Sequence, residues 1–354
     1  VTVLVYSLLG LAALFALVCV ALWVIYVPGT VRMLTASPWL LADRHPPLEG
    51  GESCQVPVPE GQIVRGTYLK TSAMRRRGVI AFCHELTSDR RSAGPYLDQL
   101  RQDGFDIFTF DFRNHGESDA IPGYRPLHWL TRYELEDVAA VVDYLATRPD
   151  ADPRGVGLLG ISKGGAAALG VAARDPRVRA VVTDGAYASD AVQRHYIRRF
   201  SEVLIPWRKV SSNMPQWCFD CVNMWARLVM GLRLRCRFVN IEPLARRVRQ
   251  PVLMIHGQRD TMIPLAVGRR LRGCLAGPSK LWVVPGARHN GAITVASNEY
   301  QRRLTRFFAR HLDGRPARVV YRGRVAAMKS WLSAQTSANR APKRRPVHST
   351  VETG

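Results

Sequence analysis

Gly160-Ile161-Ser162-Lys163-Gly164-Gly165 sets a serine among small residues, after the apolar run GVGLLG and ahead of AAALGVAAR. That spacing suits a nucleophile. The chain must turn sharply from strand to helix so that Oγ stands exposed, and side chains at 160 and 164 would collide across the turn. The start of the helix lends positive potential to an oxyanion forming there. A glycine-rich turn that only packs helix on sheet has the same spacing, so the partners decide. A serine hydroxyl needs a neutral imidazole to take its proton. Downstream, PVLMIHGQRDTMIP puts Asp260 just past one apolar run, and LWVVPGARHN puts His289 just past another. Serine, acid and histidine follow in that order, each at a predicted strand end. This reads Ser162 as nucleophile, His289 as general base and Asp260 as the acid that orients it.

Three other residues compete for these roles. Asp184 ends the run VRAVVTD and is a second candidate acid. His256, inside MIHG, reads as a buried structural histidine, and His115 in DFRNHGESD as a residue that shapes its loop. The oxyanion needs two backbone N–H donors. One is that of Lys163, next to the nucleophile. The other comes from the loop HELTSDRRS, with Leu86 the donor expected.

These residues need a scaffold that brings strand ends together. Short apolar runs predict strands at 62–70, 79–85, 105–111, 155–161, 178–184, 251–256 and 279–284. Helices are predicted near 92–103, 131–147, 163–174, 264–273 and 297–311. Such alternation predicts an α/β fold: a mostly parallel central sheet with helices on both faces and a ligand site beyond the carboxyl ends of the strands. Residues 188–248, rich in Arg and aromatic residues including Trp207, interrupt the alternation and read as a helical cap. The domain is expected to span 61–312.

Before it, residues 3–27 run without a charged side chain, long enough to cross a bilayer core of about 30 Å. Tyr6, Trp23 and Tyr26 fit aromatic belts. No basic n-region precedes the run, so an uncleaved transmembrane anchor is expected, ended by Pro28 and Gly29, with a linker over 28–60. Arg32 and Arg44 are the nearest basic residues and put the catalytic domain on the cytoplasmic side. Residues 313–354 are basic and low in complexity and read as a disordered tail.

The net charge of +22 speaks of partners rather than fold. Its excess is almost all Arg, and a membrane surface is preferred over nucleic acid as its partner. Of seven cysteines, Cys83 reads as core. Cys218 and Cys221 form a lone CxxC without a second ligand pair, and read as reduced thiols in a mobile segment.

Over roughly residues 60–312 the chain resembles the α/β-hydrolase superfamily, in particular its esterase, lysophospholipase and serine-aminopeptidase-like branch. The likeness rests on the loop at 84–88, DFRNHGES at 111–118, GISKGG at 160–165, HGQRDTMIP at 256–264 and ARHN at 287–290. The first departs from the family pattern, with His84-Glu85 where members usually carry His-Gly. The resemblance implies hydrolysis of an ester, thioester or amide without metal or organic cofactor. A carboxylic ester, of which a lipid or fatty-acyl ester is the case that fits the anchor, is the substrate expected. The alternatives are a peptidase, thioesterase or acyltransferase on the same three residues, or a non-catalytic membrane scaffold with a basic tail.

Overall fold

The computed structural model describes residues 2–36, 45–204 and 213–313. Eight strands form one sheet: β1 (Glu52–Pro57), β2 (Ile63–Leu69), β3 (Gly78–Cys83), β4 (Phe105–Phe110), β5 (Val156–Ile161), β6 (Val178–Asp184), β7 (Val252–Gly257) and β8 (Ser279–Val284). Their order is β1-β2-β4-β3-β5-β6-β7-β8. The β1–β2 and β2–β4 pairs are antiparallel, and every pairing from β4 through β8 is parallel. Strands β3 to β7 are the interior of the sheet and, except for one half-buried residue in β6, are buried at every position. That is why they read as unbroken apolar runs rather than as alternation.

Helices cover both faces. On one lie α3 (Arg132–Thr147) and α4 (Lys163–Ala172), whose Val138, Val141, Ala166 and Leu169 pack with Val79, Leu158 and Val181 of the sheet. On the other lie α2 (Gly94–Gln102) and the chain's last described helix (Ser297–Leu312). Their Leu97, Leu100, Tyr300, Leu304 and Phe308 meet Ile80, Phe82 and Val182.

Between β6 and β7 the chain leaves the sheet for two long helices, α5 (Ser189–Leu204) and α6 (Gln216–Arg233). Trp207 lies outside the described residues, as does the predicted tail apart from Asp313. Cys218 and Cys221 stand within α6 rather than in a mobile segment.

The first helix, α1 (Thr2–Thr35), is a correction. It does not stop at Pro28 but continues for seven more residues. Proline removes one N–H and crowds the preceding turn, yet beyond it Val31 and Leu34, with Val27 just before, are buried against the cap. That packing outweighs the local preference. The predicted 28–60 linker is therefore shorter. Its start is helix and β1 lies near its end, while residues 37–44 are outside the described residues. Helix α1 is long and apolar enough to cross a membrane, and no residue of its most apolar window is buried by the rest of the chain.

Candidate active site

Strand β5 ends at Ile161 and α4 begins at Lys163, so Ser162 makes the whole turn, at φ 52° and ψ −116°. Positive φ is costly for a residue with a Cβ, and such strain persists only where the surroundings hold it. Here the Ser162 N–H donates to the Asp184 carbonyl at 2.7 Å. The flanking glycines have a steric reason. A Cβ on Gly160 would lie 2.6 Å from the Gly164 carbonyl oxygen, and one on Gly164 would lie 2.2 Å from that of Cys83.

The loops after β7 and β8 deliver the partners. The Ser162 hydroxyl donates to His289 Nε2 at 2.9 Å, and His289 Nδ1–H donates to Asp260 Oδ2 at 2.7 Å. The other carboxylate oxygen of Asp260 accepts the amides of Met262, at 3.0 Å, and Ile263, at 2.8 Å. The acid is thus fixed by its own loop, and the histidine has its Nδ1 proton held so that Nε2 faces the serine. Residues 127 and 98 positions apart in number, respectively from serine to histidine and serine to acid, meet in one relay.

The competing residues go elsewhere. Asp184 is buried beside the Tyr300 hydroxyl, and its carboxyl is pushed up to about 7 by burial, against the opposing effects of Tyr300 and nearby His289. The His289 Nδ1 hydrogen bond goes to Asp260, not to Asp184. His256 is buried and meets the Ile263 carbonyl at 2.9 Å, in the acid's loop. His115 reaches the Leu86 carbonyl at 2.7 Å and the Arg113 carbonyl at 3.0 Å. Burial, with His84 and Lys163 nearby, lowers its pKa to about 3, so the ring is neutral and ties one loop to the other. His84 Nδ1–H donates to the Glu85 carbonyl at 2.6 Å, and its Nε2 accepts the Phe112 amide at 3.1 Å.

Of the two expected oxyanion donors, the Lys163 amide opens α4, where an N–H has no partner within the helix. Leu86 lines a neighbouring cavity of about 210 Å³ with Thr87, His115 and His128. His128 also lines the larger cavity that holds Ser162 and His289.

The Lys163 side chain has a role that was not anticipated. It is buried under the elbow, with Nζ donating to Glu134 Oε1 at 2.8 Å and to the Leu127 carbonyl at 3.0 Å. Glu134 Oε2 accepts the Thr131 amide at 2.8 Å and its hydroxyl at 2.7 Å. Burial opposes ionisation of Glu134, but Lys163 and the Thr131 donors outweigh it and lower its pKa to about 2. The pair ties the first turns of α3 and α4 to the loop carrying His128. A signal was present: Thr131-Arg-Tyr-Glu134 is a capping box.

Above the relay is a cavity of about 720 Å³, within the range of small-ligand pockets. Ser162 and His289 line it together with Tyr26, Met33 and Leu34 of α1, Ile197 of α5 and Phe219 of α6. Arg32 is the one Lys, Arg, Asp or Glu among the described residues of its lining. Among the described residues no three His, Cys, Asp or Glu side chains are grouped to hold a metal ion.

A family described as the alpha/beta hydrolase fold matches residues 82–218, which carry β3 through the first turn of α6 and include the elbow. The esterase Pf2001 of Pyrococcus furiosus superposes with a TM-score of 0.57 at 19% identity, over 78% of this chain and 97% of that one. The chain has the α/β-hydrolase fold. Acetyl xylan esterase 1 of Thermoanaerobacterium sp. JW/SL YS485 shares this fold at a TM-score of 0.54 and 18% identity, covering 80% of this chain and 92% of the other. In sequence, the chain is 24% identical to the uncharacterized protein YfhR of Escherichia coli K12, over 69% of its own length and 75% of YfhR. A shorter match, 35% over 105 residues, joins 29% of it to 32% of the thiohydrolase aneE of Aspergillus aculeatus.

Proposed function

We propose that the protein is a membrane-anchored serine hydrolase that cleaves a carboxylic ester through an acyl-serine intermediate. One observation carries the reading: the unbroken relay from Ser162 Oγ through His289 to Asp260, at 2.9 and 2.7 Å, on the wall of an apolar cavity. Ser162 Oγ attacks the acyl carbonyl while His289 Nε2 takes its proton. Asp260 stabilises the imidazolium, and the Lys163 and Leu86 amides receive the oxyanion. The C–O bond to the alcohol breaks as His289 returns the proton to that oxygen. Water, deprotonated by His289, then attacks the acyl-serine. The acid departs and Ser162 regains its hydrogen.

Helix α1 supplies the anchor in this reading, since its uncovered apolar residues match the hydrocarbon thickness of a bilayer. The esterases among the similar structures make an ester the first substrate class to test, and the thiohydrolase match adds thioesters on the same chemistry.

The test is turnover of p-nitrophenyl esters of increasing chain length, alongside labelling by a fluorophosphonate. Ser162→Ala is expected to lower kcat by about 10⁴–10⁶-fold and to abolish labelling. Unchanged turnover would remove Ser162 from the chemistry.

A further inference from the structure

We propose that cap helix α6 lies within one leaflet of the membrane beside α1, so that the cavity over Ser162 takes the acyl chain of a long-chain lipid ester directly from that leaflet. The proposal rests on Ser162 being the nucleophile. It starts from the two environments of α1. Up to Ile25 its large apolar side chains with described exposure stay exposed, whereas from Tyr26 onward the helix lines the cavity and buries residues against the cap. One continuous helix is therefore both the expected span and a wall of the pocket.

The neighbouring helix fixes the depth. Phe15 and Trp217 have ring centroids 5.5 Å apart, the Cys19 and Cys221 thiols are neighbours, and Val27 shares an apolar cluster with Ala226 and Met230. The two helices thus run side by side in the same direction, and the first turn of α6 is level with Phe15. At 1.5 Å per residue, Phe15 is about 18 Å along the helix from Val27, comparable to one leaflet's hydrocarbon of about 15 Å. If α1 crosses the bilayer, α6 cannot stay outside it.

The surface of α6 agrees. Trp217, Met224, Trp225, Leu228 and Leu232 are exposed, and their spacing puts them on one stripe about 100° wide. The stripe continues the uncovered apolar surface of α1. An apolar face of this kind marks a membrane or partner contact rather than a surface bathed in water. Asp220 lies just beyond the stripe's edge, where it pairs with Arg194 of α5 at 3.5 Å.

Two measurements on the full chain in phosphatidylcholine nanodiscs test the proposal. Gly29 lines the cavity, and a Cβ there meets nothing within 4 Å, so Gly29→Trp fills the pocket from the α1 side. The ratio of p-nitrophenyl palmitate to p-nitrophenyl butyrate turnover is expected to fall at least about tenfold, the scale of pocket discrimination. Gly10→Trp, equally unobstructed but on the uncovered part of α1, leaves the ratio as in the wild type. An unchanged ratio in Gly29→Trp, with fluorophosphonate labelling intact, overturns the α1 wall. In the second measurement, Leu228→Cys is expected to react with a water-soluble maleimide at least about tenfold more slowly than Val295→Cys, because thiolate does not form in hydrocarbon. Val295 is exposed in the short helix Ala292–Val295, outside the cap. Equal rates overturn leaflet insertion. Absence of Ser162 labelling in the wild-type chain is a separate result, and it overturns the nucleophile reading itself.

Discussion

Two buried carboxylates near the imidazole, Asp260 and Asp184, have different fates because their donors differ. Asp260 accepts two backbone amides and the imidazole, so its charge is compensated on every side. Asp184 has little beyond Tyr300, and burial keeps its proton on up to a pH of about 7 against an ordinary 3.8. The sign follows from linkage. Unfolded, Asp184 ionises near 3.8; folded, it does so near 7. Between those values the native state holds the extra proton, so its contribution to stability falls as pH rises. Asp184→Asn removes that dependence. Urea titrations are expected to show the variant gaining on the wild type from about pH 4 to about pH 7, with no further gain above. At this scale the sequence was informative where chemistry demands a residue type. That Ser162, Asp260 and His289 come together could be read ahead because each follows a predicted strand end. The buried Lys163–Glu134 pair could not, because a lysine next to Ser162 reads equally well as a solvent-facing side chain. Only the partner, 29 positions earlier, shows otherwise.

Elements were legible to within a few residues wherever they were buried on both faces. β3, β5, β6 and β7 are near-continuous apolar runs, and that signal is local. Strand β1 escaped because it is an edge strand with two buried residues, Cys54 and Val56, in a Pro- and Gly-rich stretch. The end of α1 escaped because Pro28 is a local stop signal overridden by packing with the distant α6. The Lys163–Glu134 pair also acts at this scale, joining α3 to α4. Lys163→Met would strand a charged Glu134 in the interior, and losing one partner of a buried pair typically costs about 3–5 kcal/mol. Chemical denaturation is expected to show that loss at neutral pH and a partial recovery in Lys163→Met with Glu134→Gln. In the wild type, Glu134 is lowered to about 2 from 4.5, so its contribution is complete above 4.5 and is lost as pH falls towards 2.

Across the whole molecule, the sheet carries two apolar cores, one on each face, and a third cluster joins the cap to α1. That third cluster makes the first helix part of the folded unit. Val27, Val31 and Leu34 are buried there, the Trp129 indole donates to the Leu34 carbonyl at 2.9 Å, and Arg125 donates to the Thr35 carbonyl at 2.6 Å. Each such aliphatic side chain is worth about 1.5–3 kcal/mol relative to exposure. Truncation to residue 25 is therefore expected to leave the melting temperature in detergent near that of the full chain. Truncation past residue 36 is expected to lower it by several degrees.

If α1 spans a bilayer as proposed, it is a rod embedded at one end that forms a chamber wall at the other, and such a rod transmits tilt. Apolar segments longer or shorter than the local hydrocarbon thickness adjust by leaning or by deforming the lipid around them. In α1 any lean displaces Tyr26, Met33 and Leu34 relative to Ser162, since all belong to one helix and one cavity. Turnover of a long-chain ester should then vary with the acyl length of the host lipids, through an optimum, while a butyrate ester stays level. A flat profile for both esters in vesicles of graded thickness would show that the rod and the chamber are mechanically independent.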